Sequence, residues 1–479
     1  MAAGVTIGAT CLYCSSAVSG EEEKHVSSTV PAMDARPSPT AASVAWRVSG
    51  FWRFNGINTF WAVNQGLWNA LYVLLAISAA VAAPTQKELV VGRATAAGGV
   101  LAVLVPIAVG LLSDRTRSQL GRRTPWIAGG ALVGALGLLL LAWAPSVPVL
   151  IASYLVLQLG NNAAGAAFAG IVPDAISEER RGRASGLLNS ATIVGTVVCL
   201  GISLVVLGAL GSSARGAAAT YWILAAMTVT SAAFSILLLR EPSSKSLGEQ
   251  RAKDAPTGNR GPALGVLMQV WRVMMANPDF CWVITTRFFL TLGIWTILPF
   301  LAFYFKDVVR ASNYGAASDL WQLVVLAGGL APAIVCGYLS DRTRRRKVFV
   351  YFSSGLQGMV VAVLLFTLVS DLATIYVLGL AFGIGYGAYS AVDWALACDV
   401  LPDRERSAAR DMGIFHVAYT LPQVFAPALL APILYRLNQP GHIAALTTGP
   451  GTGYRVVFAS AGLWFLLATL MVRRIRTVR

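Results

Sequence analysis

The chain has 479 residues, of which 56% are hydrophobic and only 12% are charged. A soluble domain carries about 25% charged residues, so this composition excludes an ordinary soluble globular protein. The net charge of +15 would suit a nucleic-acid-binding protein, but the positions of the cations, given below, argue against that class.

The apolar residues form runs of the length that crosses a membrane as helix. About 20 helical residues span the roughly 30 Å of hydrocarbon in a bilayer, whereas spanning strands would alternate apolar and polar residues over about 10 positions. The runs here do not alternate. In chain order they predict twelve spans, at about residues 57–80, 93–113, 125–143, 148–171, 185–209, 218–239, 281–304, 318–339, 348–369, 373–397, 409–434 and 453–472.

The segments outside the spans indicate the topology. Residues 1–46 are polar and predict a disordered tail without a signal peptide. The spans leave 29 Lys and Arg on one side and 7 on the other, and the positive-inside rule makes the richer side cytoplasmic. We therefore expect a multi-pass protein of the cell membrane with both termini in the cytoplasm. The cations report topology, so no nucleic-acid partner is expected.

An internal repeat divides the twelve spans into two halves. The segment Gly110-Leu-Leu-Ser-Asp-Arg-Thr-Arg117 recurs 227 residues later as Gly337-Tyr-Leu-Ser-Asp-Arg-Thr-Arg344. A second echo, residues 174–181 against 399–406, is 225 residues apart and follows the fourth span of each half. Similar offsets in matching contexts predict parallel repeats related by an axis along the membrane normal. The predicted domains are a tail over 1–46, a six-helix bundle over 47–239, a cytoplasmic linker over 240–279 and a second bundle over 280–479.

The first copy of the repeat, with its continuation to Gly121-Arg-Arg-Thr-Pro-Trp126, resembles the signature between spans 2 and 3 of the major facilitator superfamily. The longer form is similar to that of the sugar:cation symporters, the branch of the glycoside–pentoside–hexuronide symporters and sucrose/H⁺ carriers. The resemblance covers about residues 47–475. It implies an all-α membrane protein with twelve transmembrane helices in two parallel six-helix repeats, the major facilitator fold.

The sequence departs from the patterns of this superfamily at three places. The second span, Ala94 to Leu112, contains no acidic residue where the cation-coupled glycoside symporters carry aspartates. The second repeat copy continues as Arg345-Arg346-Lys347 in place of the Gly-Arg-Arg extension. The fifth span, Leu187 to Ala209, lacks the proline of the drug/H⁺ antiporters, which disfavours drug efflux.

The resemblance also implies that the two Ser-Asp-Arg-Thr loops latch the cytoplasmic end in the outward-facing state. An Asp at the C-terminal end of a helix faces an unfavourable dipole unless it is paired. The alternative for these loops is a cationic segment that only sets topology. The loops of the second echo, residues 174–181 and 399–406, would form a second layer of this latch. Their alternative is an ordinary solvated loop. The candidate gating residues are Asp114, Arg115, Arg122, Arg123, Asp341, Arg342, Asp174 and Asp399.

Polar residues inside the spans predict a solute cavity, because polar groups are costly in lipid and usually face the bundle interior. Spacings of three and four residues place the polar and aromatic residues of the first span on one helical face, and the resemblance implies that spans 1, 4, 7 and 10 line the cavity. Amides offer paired donors and acceptors to hydroxyl groups, and an indole ring offers a flat apolar face to a sugar. The alternative is hydrogen bonding between helices, with the tryptophans anchored at the membrane interface. The candidate cavity residues are Asn58, Trp61, Asn64, Gln65, Trp68, Gln158, Asn161, Asn162, Trp295, Tyr386 and Tyr389.

Charged or titratable side chains also lie deep inside spans 7, 10 and 11 of the second half. Arg287, Asp393 and His416 are each about 9–13 Å from the basic ends of spans 7, 10 and 11, at about 1.5 Å per residue. A lone charge at such a depth costs about 2.5–3.5 kcal/mol or more, so we expect Arg287 and Asp393 to compensate each other. A protonatable Asp beside an Arg suits proton coupling, and His416 titrates near neutrality. A static structural pair is the alternative.

These features predict a secondary active transporter, not an enzyme, that moves a small polar solute, sugar first, with H⁺ as the coupling ion. The chain has no Walker A sequence for ATP. Cys11 and Cys14 form a lone CxxC with no second pair for zinc, so we expect neither a cofactor nor a metal. The expected partners are the solute, the proton and the lipid bilayer, and the chain is expected to be a monomer. The alternatives are an exporter of amphipathic compounds with the same fold and a transporter-like sensor or scaffold.

Overall fold

The computed structural model describes residues 51–171, 181–243, 274–400, 408–439 and 451–476. These residues form twelve helices long and apolar enough to cross a membrane, which confirms the twelve predicted spans. The predicted tail and most of the predicted linker lie outside these ranges. In chain order the helices are α1 (Phe51–Ala82), α2 (Lys87–Arg115), α3 (Thr124–Ala142), α4 (Val147–Ala169), α5 (Arg181–Leu210), α6 (Ala214–Leu239), α7 (Pro278–Asp307), α8 (Tyr314–Thr343), α9 (Arg346–Thr367), α10 (Leu372–Asp399), α11 (Ala408–Asn438) and α12 (Thr452–Val472).

The helix α7 is interrupted by one 3₁₀ turn, Leu298–Phe300, around Pro299. Proline lacks a backbone N–H and clashes with the preceding helical turn, so the regular hydrogen-bond ladder cannot continue through this position. The short segment beyond the turn, Leu301–Asp307, carries Asp307 to the boundary between the two halves.

The helices pack in the same way within each half. α1 contacts α5 and α6 just as α7 contacts α11 and α12. The pairs α2–α4, α3–α4 and α3–α6 recur as α8–α10, α9–α10 and α9–α12. Every pair is displaced by six helices, which is the parallel repeat that the sequence predicted. The two halves meet mainly through α2 with α11 and through α5 with α8.

Glycines allow the closest helix contacts. A Cβ on Gly195 of α5 would collide with the backbone of α1 at Ala62, and a Cβ on Gly66 would collide with the backbone of α5. Gly383 and Gly387 of α10 lie in the same way against the backbone of α8. Small residues let helices approach closely in lipid, so these glycines are packing positions.

One end of the bundle, called here the basic end, carries the Arg-rich loops 114–124 and 340–347. At this end the described polar contacts stay within a half: Arg53 donates to the Leu238 carbonyl oxygen (2.9 Å), and the Lys347 ammonium donates to the Ile475 carbonyl oxygen. These contacts hold each half together at the basic end.

At the other end, called the far end, polar contacts join the two halves. Lys87 Nζ at the start of α2 lies 2.5 and 2.6 Å from the two carboxylate oxygens of Asp307, and Tyr454 donates to the same carboxylate at 2.6 Å. Ser212 Oγ lies 2.6 Å from Asn313 Oδ1, and Asn313 Nδ2 donates to the Leu207 carbonyl oxygen. The far end of the bundle is therefore closed by contacts between the halves.

Candidate functional site

A cavity of about 240 Å³ lies near the middle of the bundle, between the two halves. Side chains from α1, α2, α4, α7 and α11 line it, so both halves contribute. The lining consists of Trp61, Asn64, Gln65, Trp68, Tyr72, Thr95, Gly99, Ala102, Pro106, Tyr154, Gln158, Asn161, Asn162, Gly165, Ala166, Trp295, Tyr419, Thr420, Gln423 and Val424.

Amide side chains from α1 and α4 form a hydrogen-bonded row along one wall of the cavity. Asn64 Nδ2 donates to Asn161 Oδ1 at 2.7 Å, and Gln65 Nε2 donates to Asn64 Oδ1 at 3.2 Å. Asn162 Nδ2 donates to Gln158 Oε1 at 2.7 Å. Asn64 and Asn161 are buried, whereas Gln65 and Asn162 are half-buried. The buried pair therefore fixes the wall, and the half-buried pair keeps surface that faces the cavity.

Aromatic side chains form the other main part of the lining. Trp61 stacks on Phe168 with ring centroids 5.5 Å apart, and its indole N–H donates to Thr192 Oγ1 at 3.1 Å. Tyr72 of α1 meets Trp295 of α7 edge to face at 5.2 Å. Because these two rings come from opposite halves, they form an apolar plug between the cavity and the far end.

The structure brings eight of the eleven predicted cavity residues to the lining and leaves three outside it. Asn58 is 2% exposed and packs between helices, with no described hydrogen-bond partner for its amide. Tyr386 and Tyr389 also lie outside the lining, because α10 packs mainly against α8 and α9. The hydroxyl of Tyr389 donates to Asp393 Oδ1 at 2.6 Å.

The helices α2 and α11 also contribute to the cavity, which the sequence had not predicted. Thr95 of α2 and Tyr419, Thr420 and Gln423 of α11 line it. The polar positions on α11 follow one another at spacings of one and three residues, a pattern that was available in the sequence. The resemblance, however, implied a lining from spans 1, 4, 7 and 10 alone.

Arg287 and Asp393 form a buried ion pair beside the cavity. The guanidinium NH1 of Arg287 contacts Asp393 Oδ2, and the two residues are each 7% exposed. The guanidinium also lies over the ring of Phe415, 3.9 Å from its centroid, and 5.4 Å from that of Tyr419. Since Tyr419 lines the cavity, one aromatic ring separates the ion pair from the cavity. The third predicted member, His416, lies in α11, and its side chain is outside the described residues.

The sequence matches the family described as Major Facilitator Superfamily over residues 59–427. This match spans more than half of the chain. The chain belongs to the major facilitator superfamily. No curated protein is significantly similar to it in sequence.

Solved structures of other transporters share this major facilitator fold. The nucleoside transporter NupG aligns with a TM-score of 0.64 at 13% identity, over 89% of this chain and 100% of its own. A bacterial homolog of the human lysosomal transporter Spinster, inward-facing and unoccupied, aligns with a TM-score of 0.65 at 14% identity, over 89% of this chain and 97% of its own. The occupied form of the same homolog aligns with a TM-score of 0.62 at 14% identity, over 88% and 96%. At these identities the similarity establishes the fold, and the sugar:cation symporter branch stays a prediction.

The first motif loop, residues 114–124, forms ion pairs and hydrogen bonds with residues of its own half. Arg123 NH2 lies 2.7 Å from Asp114 Oδ1 and Arg122 NH1 lies 3.8 Å from it, while Arg123 NH1 donates to Ser113 Oγ at 2.6 Å. The carboxylate of Glu241 accepts the backbone N–H groups of residues 122–124 at 2.9–3.1 Å. Glu241 therefore caps the positive end of the α3 dipole, a role that was not predicted for it.

The second motif loop repeats this arrangement with other partners. Arg346 Nε lies 3.1 Å from Asp399 Oδ2, and Arg346 NH2 lies 3.9 Å from Asp341 Oδ1. The exposed Arg115 and Arg342 have no partner among the described residues, and Asp174 lies outside them. Each of the ion pairs given above joins residues of one half, and the gating role of these loops stays a prediction.

Proposed function

We propose that this protein is a secondary active transporter that carries a small neutral polyhydroxylated solute, sugar first, and couples its movement to protons through Asp393. Membership of the major facilitator superfamily supports transport as its function. The solute, the ion and the direction are inferences from the cavity and from its surroundings.

The composition of the cavity lining carries the choice of solute. The lining residues supply amides, hydroxyls and aromatic rings, and none of them carries a charge. A charged solute would lose its hydration here without gaining a counter-charge, which is costly in a low-dielectric site. A neutral polyol exchanges water hydrogen bonds for amide hydrogen bonds and packs its apolar ring face on indole and phenol rings.

The ion pair beside the cavity supports proton coupling. Asp393 is neutralised by Arg287 and by the hydroxyl of Tyr389, and the guanidinium lies close to Tyr419 of the lining. Protonation of Asp393 would release the guanidinium from its counter-charge. The guanidinium could then move against Phe415 and Tyr419 of α11. Because Tyr419 lines the cavity, the proton and the solute would both act on α11.

The contacts between the halves support alternating access. The far end is closed by polar contacts between halves, while the described polar contacts at the basic end stay within each half. With the basic end in the cytoplasm, as the positive-inside rule predicts, this is an inward-facing conformation. Rocking of the two halves about the midplane cavity would give the outward-facing one.

Transport by purified protein in proteoliposomes tests the proposal. Uptake of radiolabelled mono- and disaccharides is measured with an acidic exterior and with equal pH on both sides. We expect accumulation above equilibrium only with the gradient. Equilibration that ignores the gradient contradicts the proton coupling, and no sugar flux in either condition contradicts the solute class.

A pair of variants tests whether the transported sugar binds in the cavity. Gln65→Leu removes one amide that faces the cavity, so we expect sugar affinity to fall about two- to tenfold, the value of one hydrogen bond. Ser190→Ala on the exposed face of α5 should leave the affinity unchanged. A nucleoside is included because its ribose and flat base suit the same amide and aromatic groups, and because a nucleoside transporter shares this fold.

The same vesicles separate the alternatives. Efflux of amphipathic dyes without sugar flux would favour an exporter, and the six aromatic rings of the lining are the observation in its favour. Binding of sugar without flux of any compound would favour a sensor or scaffold.

A further inference from the structure

Asp319 is a buried carboxyl group that neither the cavity nor the Arg287–Asp393 pair uses. It lies in the second turn of α8 and is 0% exposed, about 7–8 Å from the start of that helix at about 1.5 Å per residue. Ionisable residues inside membrane spans are rare and usually pair with another group or serve a function.

The contacts of Asp319 cross the boundary between the halves. Ser203 Oγ of α5 donates to Asp319 Oδ2 at 2.6 Å, and both side chains are fully buried. Asp319 Oδ1 is buried and has no hydrogen-bond partner among the described residues. Gln322, one turn further along α8, is 1% exposed, and within the described part of the chain both polar atoms of its amide also lack a partner. Of the described groups, only the Ser203 hydroxyl donates a hydrogen bond to this carboxyl.

These surroundings suit the acid form and not the ionised one. An ionised carboxylate with one neutral donor and no cation is strongly destabilised in an apolar interior. A protonated carboxyl carries no charge and can donate its own hydrogen bond. The unpartnered Oε1 of Gln322, one helical turn away on the same face, is a suitable acceptor for it.

We propose that Asp319 is a proton-binding site at the α5–α8 boundary, and that the far end closes only when this site is protonated. This goes beyond the proposed function, because the proton acts here on the conformation and not on the solute. Opening the far end separates α5 from α8 and admits water, which solvates the ionised form. Closing takes up the proton again.

Other titratable groups on the helices around α8 do not neutralise Asp319. None of them forms a hydrogen bond or an ion pair with it among the described residues. At the near side Lys306 lies over the ring of Tyr314, 5.3 Å from its centroid, and Asp307 is held by Lys87 and Tyr454. Further titratable groups on these helices include Tyr72 on α1, Cys199 on α5, Tyr376, Tyr386, Tyr389 and Asp393 on α10, and Tyr351, Arg346 and Lys347 on α9. Groups nearer the basic end of the same helices are Arg53 on α1, Cys398 and Asp399 on α10, and Cys336, Tyr338, Asp341 and Arg342 on α8.

The distance across the far end tests this proposal in the full-length chain. Spin labels are placed at Ala214 and Ser370, exposed positions at the far end of each half, with the six native cysteines replaced by alanine. The distance distribution in nanodiscs is measured from about pH 5 to about pH 8. Linkage to one proton changes the closed-to-open ratio by at most about tenfold per pH unit, and we expect acid to favour the closed form.

Substitutions at the site distinguish it from other sources of pH dependence. Asp319→Asn mimics the protonated form, so we expect a closed far end at every pH. Ser203→Ala keeps the carboxyl and removes its hydrogen bond in the closed form, which shifts the transition to lower pH by up to about one unit, since one hydrogen bond is worth up to about tenfold. A wild-type distribution that ignores pH, or an Asp319→Asn variant that keeps the wild-type response, overturns the proposal. If Asp319→Asn does not fold, an unshifted transition in Ser203→Ala overturns it.

A further variant separates this proposal from the proposed function. Asp393→Asn should keep the pH response of the far end while losing proton-driven accumulation. If sugar transport fails but the pH response persists and depends on Asp319, the proton site stands and the solute assignment falls.

Discussion

At the scale of single residues, Arg287 and Asp393 form a buried ion pair whose two charges depend on each other for compensation. Removing one partner of a buried pair typically costs about 3–5 kcal/mol, because the other charge remains uncompensated. The aromatic rings of Phe415 and Tyr419 beside the guanidinium lower this penalty through cation–π attraction. The same rings connect the pair to the cavity, so a change in its charge reaches the solute.

We predict that Asp393→Asn abolishes accumulation driven by a pH gradient while solute exchange across the membrane continues. The amide keeps the shape of the side chain but cannot release or take up the proton. Uptake with a gradient and counterflow without one measure the two properties in the same vesicles. Unchanged accumulation with an unchanged pH profile would assign the pair a static structural role.

The matched control for this variant is Asp371→Asn, at the exposed start of the same helix. Hydrogen bonds from the backbone N–H and the hydroxyl of Thr374 hold the pKa of Asp371 below its usual range. This carboxyl therefore stays ionised throughout the physiological range and gains its proton only in stronger acid. We expect its removal to leave the pH dependence of transport as in the wild type.

At the scale of helices, glycines determine how closely α1 and α5 approach each other. The α1–α5 pair approaches so closely at Gly66 and Gly195 that a methyl group on either would overlap the partner backbone. Since α1 carries the amides of the cavity wall and α5 carries Ser203, the spacing of these two helices positions both proposed sites.

We predict that Gly195→Ala lowers the stability of the protein by about 1–3 kcal/mol, the usual cost of overpacking a tight contact. Gly201→Ala is the control on the same helix, because a Cβ there meets nothing within 4 Å. This control should be neutral or stabilising by up to about 1 kcal/mol, as alanine favours helix over glycine. Thermal unfolding of both variants in detergent measures the difference, and equal melting temperatures would contradict the packing role.

At the scale of the whole molecule, the far end is sealed in layers from the cavity outward. The Tyr72–Trp295 plug comes first, then the Ser203–Asp319 contact, then the Ser212–Asn313 contact, and the Lys87–Asp307 pair lies at the edge. Each layer joins opposite halves, so all must part when the halves rock. The ion pairs given above for the motif loops at the basic end each lie within one half.

We predict that Lys87→Gln shifts the protein toward an open far end. The Lys87 and Asp307 side chains are only 10% and 19% exposed, so the loss should lie between about 1 kcal/mol for an exposed pair and about 3–5 kcal/mol for a buried one. The closed-to-open ratio, measured with the labels at Ala214 and Ser370, should fall at least about fivefold.

The exchange of both charges, Lys87→Asp with Asp307→Lys, should restore part of the closed population. Arg310→Gln removes an exposed cation at the same end and serves as the control, with no expected shift. A closed population that Lys87→Gln leaves unchanged would show that the inner layers alone hold the far end.

The sequence by itself determined the twelve spans, their grouping into repeats and the meeting of Arg287 with Asp393. A span must cover the hydrocarbon thickness with apolar residues, so the local run of apolar residues determines where it lies in the chain. Two opposite charges at one depth have a strong reason to pair. The amide face of α1 was likewise visible, because helical periodicity shows which residues share a face.

The tertiary structure alone decided which faces meet. Periodicity does not say which helix lies opposite, so the sequence did not show that α2 and α11 line the cavity or that Glu241 caps α3. Asp319 stood at the edge of a predicted span, where a carboxyl is unremarkable in sequence. Only the packing of α5 against α8 buries Asp319 beside Ser203. Because this packing belongs to the closed far end, the proposed protonation of Asp319 is linked to closure.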